Sequence, residues 1–475
     1  MMRERYTRLS KSESLMLQTS RRQFLKLGLA GLGVMTVPLL AACQGQGEQP
    51  APASPAVSAQ TPATSGTEVV TVRFEGWNYE PALVEQNLKR FMELNPDIKV
   101  EYTPIEGSQY RQKIVAEFTA GTEPDALYVR DDYFAGWVTA GYLQDIEGMP
   151  GLEEAYSRIY DFNAAAMTYE GKRYGLPYYA DIVAFAYNAE LLEKADIKEP
   201  PKSLEQLEEQ GKKLKSEGLV QYPIAFGFKL TNDFWYDWWG LIYASGARLF
   251  NDKMEPIMHT ENTVARDVLA WIERGMNETG IVDPASIELD GGKVRDAFLA
   301  GQYAYILFQR YEMARANNPE QSPIAGKVKM ALVPSLDGEN KGTVGWTRMY
   351  CLSKTTQVKD AAYRLIYYLG GLDENGVPYT AKWWFMQRGL GFAYKELAQD
   401  SEIRAKLQTF VDPDIYSLQA ENARARENVQ EPWYSEWESE NQKLMQQALT
   451  RQISVNDVMK GMAENAERFK KQYGA

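Results

Sequence analysis

Histidine occurs once in this chain, at His259, and cysteine twice, at Cys43 and Cys351. That scarcity excludes a His-based zinc centre, a Cys-rich cluster and any choice of His–Ser or His–Cys dyads. A basic surplus is also missing: 52 Lys plus Arg stand against 64 Asp plus Glu, a net charge of −12. Phosphate-backbone contacts demand a basic surface, so no nucleic-acid partner is expected. What the chain does have is ordinary globular composition, 44 % hydrophobic and 24 % charged, over 475 residues. That length exceeds what one core usually serves, so more than one domain is expected. No cofactor is expected and no metal site is assigned. There is no EF-type loop, although oxygen-ligated Ca²⁺ would need no histidine.

The N-terminal segment is set apart from the fold. Ser20-Arg21-Arg22-Gln23-Phe24-Leu25-Lys26 resembles a twin-arginine export signal. The uncharged stretch that follows, Leu27 to Ala42, has 16 residues, short of the ~20 that span a bilayer. Leu40-Ala41-Ala42-Cys43 resembles a lipobox, in which the cysteine is lipidated and becomes the new N-terminus. Residues 1–42 are therefore expected to be a removed signal, with Cys43 anchored at the outer face of the bacterial cell membrane or in the periplasm. The alternative is an uncleaved anchor. Removal takes away seven basic and two acidic residues, leaving 45 against 62, a net charge of −17. Membrane attachment must then come from acyl chains and not from charge. Residues 43–68 hold Pro, Ala, Ser, Thr, Gly and Gln with no aromatic. They read as a tether with a mean span of about 28 Å. Cys351 is left alone, so no disulfide is expected.

From residue 69 strand and helix patterns alternate. Val69–Phe74 is a β-branched apolar run. Pro81 opens a helix whose Val84, Leu88, Phe91 and Met92 recur at helical spacing, and Asn95-Pro96 stops it. Ile98–Tyr102, Gln109–Ala120 and Asp125–Val129 continue as strand, helix and strand. That order implies an α/β fold with a parallel sheet, whose ligands sit beyond the carboxyl ends of the strands. Those ends carry Trp77-Asn78-Tyr79 and Arg130-Asp131-Asp132-Tyr133. Residues 171–188 read as a hairpin and a strand, and Ser203–Lys215 as a helix with Leu204 and Leu207 inward.

Aromatic residues are the chemical signal. The chain has 11 Trp and 29 Tyr, side chains that pair a flat apolar face with a polar edge. A sugar ring has the same division, with C–H faces for stacking and hydroxyls for hydrogen bonds. Local clusters are Phe234-Trp235-Tyr236-Asp237-Trp238-Trp239, Trp383-Trp384, and Trp433-Tyr434 with Trp437. Part of each cluster is expected in the core.

Several segments carry a resemblance. GKRYGLPYYADIVAFAYNAELLEKADI followed by PPKSLEQLEE is similar to the hinge region of extracellular solute-binding proteins of family 1. These are maltose-binding-protein-like subunits of carbohydrate ABC importers. EFTAGTEPDALYVRDDYFAGWVTAGYLQDI, AFLAGQYAYILFQ, VGWTRMYCLSKTTQVKDAAYRLIYYL and ALTRQISVNDVMKGMAENAERF match in the family's order. The resemblance implies two α/β lobes joined by hinge strands, with the ligand cleft between them. Lobe one would comprise 69–178 and 344–400, lobe two 179–343 and 401–475. It implies a monomer that binds a carbohydrate without transforming it, closes about its hinge, and delivers the ligand to permease subunits.

The site residues implied are Trp77, Asn78 and Tyr79 after the first strand, and Asp131 and Asp132 as acceptors for sugar hydroxyls. Asp181 is the hinge carboxylate, with Tyr179 beside it. Asp233 and Trp235 form a polar–aromatic loop, Tyr311 is a stacking ring, and Trp437 covers the sugar. Trp346 and Arg348 follow the second hinge; after Gly-Trp the family usually has small residues, where this chain has Thr347-Arg348. The competing reading is a secreted hydrolase, which would need two opposed carboxyl groups flanking the scissile bond.

Overall fold

The structure, a computed structural model, describes residues 69–230 and 235–474. The expected signal, tether and Cys43, together with Asp233 and the side chain of Trp235, lie outside the described residues. The βαβαβ start is present. Strand β1 (Val70–Trp77) runs parallel to β2 (Ile98–Ile105) and to β3 (Ala126–Arg130). Helix α1 (Pro81–Leu94) buries Val84, Leu88 and Phe91, the stripe its spacing predicts. Helix α2 (Gly107–Ala120) and helix α3 (Asp131–Thr139) follow β2 and β3 directly. β1 extends past the expected end at Phe74 because Glu75, Gly76 and Trp77 continue the register with Thr103, Pro104 and Ile105.

The hairpin after residue 167 turns on Glu170 and Gly171, both at positive φ. Tyr169 pairs with Lys172 across that two-residue loop, the geometry that suits strand twist. The chain then enters β4, a 14-residue strand from Gly175 to Asn188. Its amino-terminal half pairs antiparallel with β7 (Thr343–Ser353). Its carboxyl-terminal half pairs with β5 (Tyr305–Gln309) and β6 (Val328–Ala331). β7 in turn lies antiparallel to β3. The result is one sheet in the order β2-β1-β3-β7-β4-β5. β4 and β7 are therefore the elements through which its two halves are joined.

Side-chain alternation along β4 divides it between two apolar cores. Ala184 and Ala186 belong to a core built with β1, β2, β3 and the helices around them. Val183 and Phe185 belong to a second core that holds the helix Leu204–Ser216, the helix Trp235–Ala244 and the two closing helices, Tyr434–Leu449 and Val455–Tyr473. The helix Leu204–Ser216 begins at an N-cap, Ser203, whose hydroxyl accepts from the Gln206 N–H at 3.1 Å. The border expected at residue 401 falls in a segment that touches both halves. Lys382 Nζ reaches Asp400 at 2.7 Å on one side, and Asn317 Nδ2 donates to the Phe410 carbonyl at 3.0 Å on the other. No helix among the described residues is long and apolar enough to cross a membrane.

Candidate functional site

Strand register assembles the site. Arg130, the last residue of β3, lies opposite Arg348 of β7, and Arg348 lies opposite Tyr179 of β4. Opposed residues on antiparallel strands project from the same face. Trp346, two positions before Arg348, projects to that side as well. A register shift falls between Arg348 and Met349, where Tyr178 is the extra residue on β4. Such bulges re-aim neighbouring side chains. Trp77 closes the row at the end of β1, its ring centroid 4.6 Å from Tyr128 and 5.5 Å from Tyr110. With Tyr311, Gln309 and the first turn of α2, these residues line a cavity of about 1360 Å³, its open mouth included.

Arginine dominates the electrostatics. Arg348 donates from Nη1 to Asp131 Oδ1 at 2.7 Å and from Nη2 to the Tyr236 hydroxyl at 2.8 Å. Arg130 forms a bidentate pair with Asp132, at 2.9 and 3.0 Å. Behind them Arg426, fully buried, pairs with Glu438 at 2.8 Å and approaches Asp131 at 3.5 Å. Burial alone would raise the Asp132 carboxyl, but Arg130, Arg426 and Arg348 hold it well below the usual range. Burial pushes Glu438 up to about 7 against the pull of Arg426. Carboxylates this deep persist because each is paired.

The expected site residues separate into groups. Trp77, Tyr179, Tyr311, Trp346 and Arg348 come together in the cavity. Tyr79 lines an adjoining groove that shares Tyr311, and Asn78 is exposed outside both. Asp131 and Asp132 were expected to face hydroxyls. They are instead 1 % and 6 % exposed, turned toward Arg348, the Thr347 N–H and Arg130. Trp437 was expected over the sugar and is instead fully buried in the second core, with its Nε1–H donating to the Met462 carbonyl at 2.9 Å. The helical run that carries it turns its aromatic stripe inward.

Asp181, opposite Trp346 in the strand register, is not among the residues that line the cavity. It accepts from Arg310 Nε at 3.3 Å and from the Tyr311 N–H at 3.0 Å, beside a second, narrow and mostly apolar space. Burial pushes its carboxyl up to about 6 even with Arg310 adjacent. It therefore positions the Tyr311 backbone and lines no part of the larger cavity.

Residues the motifs passed over include Arg111, Tyr110, Tyr133 and Tyr236, which line the cavity beside Arg130. Arg130 and Tyr133 stood in the loop already identified. Their role was legible only once β3 is paired with β7. Among the described residues no Asp or Glu lines the cavity, so the opposed carboxyl pair that a hydrolase needs has no support there.

A family model for bacterial extracellular solute-binding proteins matches residues 77–374. The mannitol-binding protein of Pseudomonas aeruginosa is 26 % identical over 204 residues, 40 % of this chain and 44 % of its own length. Among solved structures, maltose-bound MalE3 of T. maritima superposes with a TM-score of 0.72 at 20 % identity. That match covers 84 % of this chain and 99 % of the other. The GacH receptor of Streptomyces glaucescens, solved unliganded and with acarbose, gives a TM-score of 0.72 at 18 % identity. Here the coverage is 85 % of this chain and 99 % of the other. The shared architecture is the two-lobed α/β fold, with β4 and β7 in this chain linking the lobes.

Proposed function

Because the chain belongs to the bacterial extracellular solute-binding proteins, we propose that it captures a sugar or oligosaccharide between its lobes and presents it to the permease of an ABC importer. The observation that carries this reading is the cavity itself. Aromatic faces from β1, β4 and β7 and guanidinium donors from β3 and β7 converge on one space at the junction of the lobes. Rings of Trp77, Tyr179, Tyr311 and Trp346 can pack on sugar C–H faces, while Arg348 and Gln309 can donate to hydroxyls. Related proteins carry maltose or acarbose, or are named for mannitol. Those ligands all present hydroxyls in a compact arrangement. The cavity is of the size of ordinary small-molecule pockets, about 300–1000 Å³.

Ligand that contacts both lobes binds the closed form more tightly than the open one and so shifts the population toward closure. No covalent step is involved. In this reading the chain is a binding protein and not an enzyme, exported by its twin-arginine segment and held at the membrane through lipidated Cys43. It acts as a monomer. Lobe one takes in 69–178 and 344–400, and lobe two the remainder to 475.

A thermal-shift screen of the full chain across mono- and oligosaccharides, polyols and sugar phosphates tests the reading. Saturation with the right ligand should raise the melting temperature, because a ligand at 100 times its Kd adds about 2.7 kcal/mol to folding. Tyr179→Ala should abolish that shift. A shift that survives Tyr179→Ala, or no shift with any member of the panel, would contradict it.

A further inference from the structure

Among the described residues, the charge at the cavity is opposite in sign to that of the chain as a whole. The chain carries a net charge of −12, yet Arg111, Arg130 and Arg348 all line the cavity. Around them the described residues place four guanidinium groups, counting Arg426, against the three carboxyl groups of Asp131, Asp132 and Glu438. Such a focus in a low-dielectric cleft draws anions out of solution.

We propose that the ligand is an acidic carbohydrate, a sugar or short oligosaccharide bearing a carboxylate or phosphate group, with its anion seated among Arg111, Arg130 and Arg348. This rests on the reading of the cavity as a carbohydrate site.

Arg111 is the most informative of the three. It is exposed, donates to Ser435 Oγ at 3.1 Å, lies 5.5 Å from the centre of the Tyr133 ring, and has no carboxylate partner among the described residues. The first turn of α2, just before it in the chain, also lines the cavity at Gly107 and Ser108. That turn contains no acidic residue, and Glu106 before it makes no capping bond and lies outside the lining. Backbone N–H groups of a helix's first turn have no intrahelical acceptor and favour a negative charge. Tyr133, 5 % exposed and also in the lining, has a buried hydroxyl with no hydrogen-bond partner.

The energetic argument follows from closure. Bringing the lobes together on a neutral sugar would strip water from a positive cluster and put no charge in its place, which is unfavourable. An oxyanion supplies that charge. The planar guanidinium fork matches both carboxylate and phosphate, and its charge-assisted bonds are stronger than neutral ones.

Isothermal titration of the full chain with a uronic-acid disaccharide, a hexose phosphate and maltose tests the proposal. At least one acidic ligand should bind about tenfold or more tightly than maltose, the difference made by one charged hydrogen bond. The preference should shrink as salt is raised from about 20 to about 500 mM. Arg111→Gln, with its fold checked by circular dichroism, should weaken the acidic ligand about tenfold and leave maltose within about twofold. Which of the two acidic arms binds separates carboxylate from phosphate recognition. Maltose binding as tightly as both acidic ligands, or Arg111→Gln weakening all three alike, would overturn the acidic preference while leaving the carbohydrate site in place. Failure of all three to bind would overturn the carbohydrate reading itself.

Discussion

Two spaces border β4, and both are built from aspartate, arginine and tyrosine. In the smaller, Asp181 meets Arg310 beside Tyr416 in narrow, mostly apolar surroundings. In the larger, Asp131 and Asp132 meet Arg348 and Arg130 at the edge of a cavity of about 1360 Å³, its open mouth included. The difference is in which partner faces outward. Around Arg310 the donors are used internally: Nη1 donates to the Tyr416 carbonyl at 3.1 Å, and the guanidinium lies 3.7 Å from the Tyr416 ring centre. Around the larger cavity Arg130 and Arg348 belong to the lining, while their partners Asp131 and Asp132 do not. The same residue types therefore serve packing in one space and, in the proposed reading, recognition in the other.

Tryptophans divide in the same way, and that division should give the largest effect. Trp77 and Trp346 line the cavity, whereas Trp437 is sealed in the second core. Trp437→Ala should lower stability by about 3–5 kcal/mol in chemical denaturation. Ligand affinity, measured where the variant remains folded, should stay within about twofold of wild type. An intact fold with lost affinity would return Trp437 to the site.

A second effect isolates the Asp181 side. Its carboxyl is raised from 3.8 to about 6, so the folded state holds the proton more tightly than the unfolded chain. Its contribution to stability is thus fully present below about pH 4 and is lost as pH rises through about 6. Asp181→Asn cannot titrate there. The stability advantage of wild type over Asp181→Asn should therefore shrink from pH 4 to pH 7, by up to about 3 kcal/mol. Melting curves across that range check it, and a gap that widens with pH would contradict the assignment.

Much of the fold was legible because its early elements obey local rules. Val84, Leu88 and Phe91 announce α1, Pro81 starts it, and the apolar runs before and after it form parallel strands. The family resemblance added the joined lobes, which no periodicity could supply. The site was legible by location more than by residue. Trp77 and Arg130-Asp131-Asp132-Tyr133 were found at strand ends, but their side-chain directions depend on β7, more than 200 positions away in the chain. That pairing decides that Arg130 and Arg348 face the cavity and that Asp131 and Asp132 turn behind them. Burial then explains Trp437, since the helix Tyr434–Leu449 packs its stripe of Trp437, Met445 and Leu449 into the second core. A linear motif does not reveal which side of a helix finds a partner.

The most direct measurement sets one arginine from each space side by side. Arg348→Gln and Arg310→Gln, in the full chain, are titrated calorimetrically with the carbohydrate that gives the largest thermal shift. Arg348→Gln should lose about tenfold or more in affinity, while Arg310→Gln should stay within about threefold of wild type and lose stability instead. Loss of affinity in Arg310→Gln with Arg348→Gln unaffected would place the ligand in the smaller space and contradict the account.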